Sequence, residues 1–352
     1  MSDSVSAKPA IAATAGVVVR SPLLLALLAL AGAVVFTTFV LLIAGIPPLD
    51  TYQLVLTGWF SSPATRSDTL MLAAPLLLCA AGLTISFAAG LYNLGVEGQI
   101  TVGAIFCLGI MRALPDLSPP LLWALALAAG MVGGVAWALI AALLRRYGRV
   151  SEIFAGLGLN FLATGLVLYL IAGPWKKPGT ASITGTEQLP REVWLPTLEG
   201  LRLAPLAPLL ALLALVIVWI VLERTRWGLE VRAAGTNPAA AERLGIPMTR
   251  RMFEAFAACG ALAGLAGGLQ VLAVFHALIS NVSSGIGLLA LLVVLLVNAR
   301  PAWVLPVVLL FAAFAIGALK LPLTLGADSS LAGVMQGAIV LFALIARGLT
   351  GR

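Results

Sequence analysis

The sequence predicts an all-α polytopic membrane protein with about ten transmembrane helices. Two observations carry that expectation. Of 352 residues, 61% are hydrophobic and only 10% are charged, and the apolar residues fall in charge-free runs near the roughly 20 residues that cross a bilayer. Clear windows lie at 23–46, 70–90, 121–144, 153–172, 203–222 and 302–319, and 253–275 is charged only near its start. Three are weaker: 94–111 carries Glu97, 279–297 is interrupted by Asn281 and several serines and glycines, and 329–346 is short.

The first window is about twice the length of a signal-peptide core and is followed by Pro47-Pro48 rather than by small residues, so it is expected to stay in the membrane. Spans two to five and seven to ten form two groups of four that enter from opposite sides. That is the arrangement of inverted halves, which place a substrate route between them, although the two groups share little sequence.

A net charge of +7 would suggest a nucleic-acid partner in a soluble protein. Between membrane spans, the same residues report orientation, because cytoplasmic loops collect lysine and arginine. With a cytoplasmic N-terminus, Lys8, Arg20, Arg145, Arg146, Arg149, Arg224, Arg226, Arg232, Arg243, Arg250, Arg251, Arg300, Arg347 and Arg352 lie inside, which is 14 of the 21 basic residues. Arg66, Arg112, Lys176, Lys177, Arg191, Arg202 and Lys320 then lie outside. The chain is thus expected to be one transmembrane domain over 1–352, with a cytoplasmic tail at 1–20, an external loop at 174–202 and a cytoplasmic loop at 223–251. Both termini would be cytoplasmic, lipid would surround the spans, and no nucleic acid is called for.

Catalytic and metal chemistry find no footing. Cys79, Cys107 and Cys259 fall inside apolar windows and are odd in number, which fits small packing residues better than a disulfide framework or metal site. His276 is a lone histidine, and no paired carboxylates, nucleophile with a base, or metal-ligand cluster is visible. No G-x-x-x-x-G-K-[ST] loop occurs, so the chain is not expected to hydrolyse ATP. Few titratable groups lie in the windows, whereas an ion-coupled secondary transporter usually needs them.

Inside loop 223–251, the run Gly235-Thr236-Asn237-Pro238-Ala239-Ala240-Ala241-Glu242-Arg243-Leu244-Gly245 reads as a punctuated short helix. Asn237 can cap it, Pro238 suits the first helical position because its missing N–H would have no partner there, and Gly245 suits a left-handed stop. About seven residues cannot hold a helix alone, since nucleation costs more than two turns return. A face of Ala234, Ala240 and Ala241 is small enough to enter a cleft in another subunit. In the next window, Gly260, Gly264 and Gly268 recur every four residues beside Gly267, a spacing that lets helices approach closely in lipid.

Between the second and third windows, Gly90-Leu91-Tyr92-Asn93-Leu94-Gly95-Val96-Glu97-Gly98-Gln99 reads as a helix break that gathers a carboxylate and two amides. Such groups are costly at membrane depth unless they face protein or water. Asn93, Glu97, Gln99 and Asn160 are therefore the candidate pathway residues, with capping or an interfacial turn as the alternative role for Glu97.

Residues 90–99 are one of five ordered segments that together resemble a known family. The others are Ser151-Glu152-Ile153 leading to Leu159-Asn160-Phe161, Gly173-Pro174-Trp175-Lys176-Lys177-Pro178-Gly179, Gly235-Thr236-Asn237-Pro238-Ala239-Ala240, and Cys259 to Gly267. The chain resembles the permease subunits of bacterial ATP-binding-cassette (ABC) importers for nucleosides and simple sugars, which are related to ribose and branched-chain amino-acid permeases. It departs from that pattern at Ser151-Glu152, where an Asn-Glu pair is expected, and at 154–158.

The resemblance implies an inner-membrane permease with no cofactor of its own. It also implies a cytoplasmic ATPase that binds ATP and magnesium, a second permease that is a paralogue or a copy, and an extracytoplasmic substrate-binding protein. On this reading the segment with Ala234, Gly235, Asn237, Pro238, Ala240, Ala241 and Gly245 is the coupling helix that docks into the ATPase.

Overall fold

A computed structural model describes residues 22–179 and 184–348. Lys8, Arg20, Arg352 and the tail 1–20 lie outside the described residues. The helices in order are α1 Pro22–Ile43, α2 Pro48–Thr57, α3 Pro63–Ala88, α4 Val96–Ala113, α5 Pro119–Arg146, α6 Glu152–Ala172 and α7 Leu206–Arg224. There follow α8 Arg226–Thr236, α9 Pro238–Arg243, α10 Met248–Leu269, α11 Ile286–Val297, α12 Pro301–Ala318, α13 Leu321–Leu325 and α14 Leu331–Gly348. Six of the helices named start at a proline, which is pre-set for the first turn and gives up no hydrogen bond there. Among the described residues the only β-type pairing is an isolated bridge between Gly185 and Ile279.

Each of the ten apolar windows contains a helix, but the helices differ in reach. Seven are long and apolar enough to cross a membrane, and an eighth span arises if Leu27–Ile43 and Pro48–Phe60, bent by 119°, count together. Helix α11 has 12 residues, about 18 Å at 1.5 Å per residue, well short of a hydrocarbon core near 30 Å. The first part of its window is not helical, because His276, Ser284 and Gly285 adopt positive φ and turn the chain.

Helix α10 lies at the centre, against α3, α4 and α5. The glycines picked out by their spacing set the closeness of that packing. A Cβ on Gly264 would stand 2.1 Å from the Gly130 carbonyl oxygen, one on Gly134 2.0 Å from that of Gly260, and one on Gly103 2.4 Å from the Gly264 Cα. Backbones therefore touch at the crossings, the geometry that gives helix association in lipid its dispersion energy. A satellite core joins α1, α2, α12, α13 and α14 through Leu41, Val55, Phe314, Leu321 and Met335.

At the end of α7 away from α8, residues 184–195 do not form a free linker. Thr186 N–H donates to the Leu278 carbonyl at 2.9 Å, Leu189 N–H to that of His276 at 2.7 Å and Leu195 N–H to that of Leu272 at 3.2 Å. Trp194 stacks on His276 with ring centroids 3.6 Å apart and 5° between planes, and Trp123 Nε1 donates to the Val193 carbonyl at 2.8 Å. The segment is stitched over the α10–α11 connection.

Candidate functional site

Helix α3 ends at Ala88, Gly90 turns the chain with φ +72°, and α4 starts only at Val96. Helix α4 has 18 residues against 26 in α3 and 28 in α5. The four candidate pathway residues converge on this break. Asn93, buried to 1%, donates through Nδ2 to Gln99 Oε1 at 3.2 Å and to Cys259 Sγ of α10 at 3.1 Å. Gln99, equally buried, returns a bond from Nε2 to Asn93 Oδ1 at 3.1 Å, and that oxygen also accepts from Gly95 N–H at 3.2 Å.

Asn160 of α6 bridges the same turn, donating to the Leu94 carbonyl at 2.9 Å and accepting from Gly98 N–H at 2.8 Å. Asn93 and Gln99 thus satisfy each other, while Asn93 and Asn160 take up the Gly95 and Gly98 N–H groups and the Leu94 carbonyl, as apolar surroundings demand of irregular backbone. Their arrangement fixes the shape of the turn.

Glu97 is placed differently. It sits in the first turn of α4, only partly buried, and its Oε1 accepts the Leu288 N–H in the first turn of α11 at 2.8 Å. Gly287 makes room for it, since a Cβ there would lie 3.1 Å from Oε1. The carboxylate, carried on the first turn of α4, thus takes a free N–H at the start of α11, and both helix starts carry a partial positive charge. That compensation is what makes a carboxylate tolerable at this depth, and it consumes the field that the helix ends would otherwise offer an anionic solute.

The loop 224–248 forms the second candidate site. Asn237 Oδ1 accepts the Ala240 N–H at 3.1 Å, Pro238 takes the first helical position, α9 ends at Arg243, and Gly245 has φ +78°. The cap, start and stop read from sequence are all in place. The expected small face is corrected: Ala234 and Ala241 are buried against their own chain, only 4% and 1% exposed, and the outward face is Ala239, Ala240, Glu242, Arg243 and Leu244, with Leu244 79% exposed.

The alanine pattern hid this, because alanine fits either side of a two-turn helix. Ion pairs tie the loop down: Arg251 to Glu230 at 2.6 Å and to Glu254 at 2.5 Å, Arg250 to Glu254 at 2.7 Å, and Arg232 to Glu223 at 2.9 Å. Arg243 has no such partner among the described residues, so α9 presents a free cation beside an exposed leucine.

Comparison with known proteins identifies the kind of protein to which this apolar helical bundle belongs. The family described as the branched-chain amino acid transport system / permease component matches residues 65–344. The chain belongs to this family. It is a permease component, the transport part of an ABC transporter.

Among curated relatives, the permease is similar to the guanosine ABC transporter permease protein NupP of Bacillus subtilis, with 27% identity over 92% of this chain and 93% of that one. It is similar to the glucose ABC transporter permease protein TsgB13 of Haloferax volcanii, with 28% identity over 84% of this chain and 80% of the other. The putative glucose ABC transporter permease protein TsgC13 of the same organism is 31% identical over 76% of this chain and 82% of its own length.

Sequence reading of this permease found the residues at the break but not their partners. Cys259 lies 166 positions from Asn93, and Leu288 lies 191 from Glu97. An unusually short apolar window at 286–297 beside Gly285 and Gly287 was the available signal for the second helix end. Loss of the α9 cap is an expected small effect: Asn237→Ala should cost about 1 kcal/mol. Hydrogen exchange by mass spectrometry should then show peptides over 238–243 exchanging about fivefold faster.

Proposed function

We propose that the chain is the membrane-spanning permease of an ABC importer for a nucleoside or simple sugar, in a bacterial cytoplasmic membrane, driven by a separate ATPase that binds ATP and magnesium. Its partners in this reading are that ATPase, a second permease that is a paralogue or a second copy, and an extracytoplasmic binding protein. The residues over 1–352 act as one transmembrane domain, with both termini and loop 223–251 cytoplasmic and loop 174–202 external.

The observation that carries the choice of solute is the carboxylate of Glu97 across the N-termini of α4 and α11. Broken helices in transporters commonly aim such N-termini at an anionic group of the substrate. Here an internal carboxylate already takes that place, which favours an uncharged, hydroxyl-bearing solute over an amino acid. The names of the guanosine and glucose relatives point the same way. Glu97 is the pathway residue in the strict sense, and Asn93, Gln99 and Asn160 hold the turn that presents it. Gly235, Asn237, Pro238, Ala240 and Gly245 with α9 form the coupling segment, and Ala234 and Ala241 seat it.

Uptake by proteoliposomes holding the assembled transporter, with labelled guanosine, glucose and leucine in parallel, tests the solute class. ATP-dependent entry of guanosine or glucose without leucine is expected, and entry of leucine alone would overturn the class. Orientation is read separately by cysteine labelling. A Thr236→Cys variant should react with an impermeant thiol reagent in inside-out vesicles and not in intact cells, and labelling from outside would reverse the assignment.

A further inference from the structure

The two candidate sites touch. The last turn of α8 lies backbone to backbone on the end of α3: a Cβ on Gly235 would stand 2.2 Å from the Ala88 carbonyl oxygen and 2.7 Å from Gly90 N, and one on Gly90 would stand 3.0 Å from the Gly235 Cα. At the other end of the same break, a Cβ on Gly156 of α6 would stand 2.5 Å from Gly95 N. A six-residue turn is therefore clamped between α8 and α6 by glycine contacts, bonded to α10 through Asn93 and Cys259, and followed at once by Glu97, which holds α11. No flexible side chain intervenes at Gly90 or Gly95, so a displacement of α8 cannot be absorbed there by a rotamer change.

The geometry points to the Gly90–Gly235 contact as the joint that passes motion of the coupling loop into the membrane, with residues 90–95 as the element that moves. Both glycines are positioning residues that act through the break. The inference rests on the coupling reading of α9 given above. Close packing makes such a joint effective, since packed backbones shift between discrete arrangements rather than deform continuously. The clamp also explains why the turn keeps its amides paired with one another: the network lets it move as one body.

The test uses the assembled transporter in proteoliposomes and reads solute imported per ATP hydrolysed. Gly90→Ala, whose Cβ would press on the Gly235 Cα at 3.0 Å from outside the coupling segment, should keep the ATPase bound and hydrolysing while solute per ATP falls about tenfold, within the usual range of coupling strengths. Simple loss of fold would lower binding, hydrolysis and import together. A second variant guards against that case: Tyr92, half exposed on the break, replaced by cysteine should show a labelling rate by a thiol reagent that changes when ATP is added.

That change should vanish in Gly90→Ala/Tyr92→Cys. A normal ratio in Gly90→Ala, or Tyr92→Cys labelling indifferent to ATP in the otherwise unaltered chain, would overturn the inference. Failure of the ATPase to copurify with the unaltered permease would instead remove the coupling reading beneath it.

Discussion

Replacing Gly264 with leucine is expected to abolish the folded bundle. Its Cβ alone would fall 2.1 Å from the Gly130 carbonyl oxygen and 3.0 Å from the Gly134 Cα, and both neighbours are backbone that no rotamer change can move. Helix α10 would have to leave α5 and, through Gly103, α4. Overpacking a close-packed core costs about 1–3 kcal/mol when side chains can yield, and here they cannot, so the loss should exceed that range. Thermal unfolding in mild detergent, followed by gel filtration, should show the variant aggregated or melted at temperatures where the parent is intact. Gly333 of α14 has nothing within 4 Å of a would-be Cβ, and Gly333→Leu should leave the melting profile close to that of the parent.

The second large effect falls on function. Ala240 is exposed on α9, and its backbone is engaged within the segment, the N–H by the Asn237 cap and the carbonyl by the Leu244 N–H, while its methyl group points out. Tryptophan there strains nothing within the permease, so insertion and melting should be unchanged. On the account above, the same face enters a groove of the ATPase, and a ring system in place of a methyl group should clash. An overpacking cost of about 1–3 kcal/mol at that contact corresponds to roughly 5- to 150-fold weaker binding. Copurification of the ATPase from membranes and ATP-driven uptake should fall together, while the amount of permease in the membrane stays the same.

Much of the architecture was legible because membrane physics leaves few choices. Charge-free windows located ten helices, prolines marked where many of them begin, and four-residue glycine spacing identified α10 as a tightly packed helix. The asparagine, proline and glycine around 237–245 located α9 to within a residue. What stayed hidden depends on contacts distant in sequence. In the window from 279 to 297, Asn281, Ser283, Ser284 and Gly285 mark an interruption, but the turn they make and its contact with Glu97 depend on packing that the sequence does not display.

Loop 184–195 reads as a polar linker because backbone N–H groups, which every residue has, do the stitching to α10. Asn93 and Gln99 were recognised as costly at membrane depth, but which groups satisfy them depends on a turn that brings positions six apart face to face. The outward side of α9 could not be chosen from composition, because Ala234, Ala240 and Ala241 are chemically alike and only packing against the chain separates them.

Whether α9 carries the drive from a cytoplasmic ATPase into this permease is decided by photocrosslinking. A photoreactive amino acid at Leu244, 79% exposed beside the unpaired Arg243, should join the permease to the ATPase in membranes expressing the whole transporter. The same group at Leu198, 47% exposed near the opposite end of α7, should not. An ATPase adduct from Leu198, or none from Leu244 in a transporter that still imports solute, would contradict the claim.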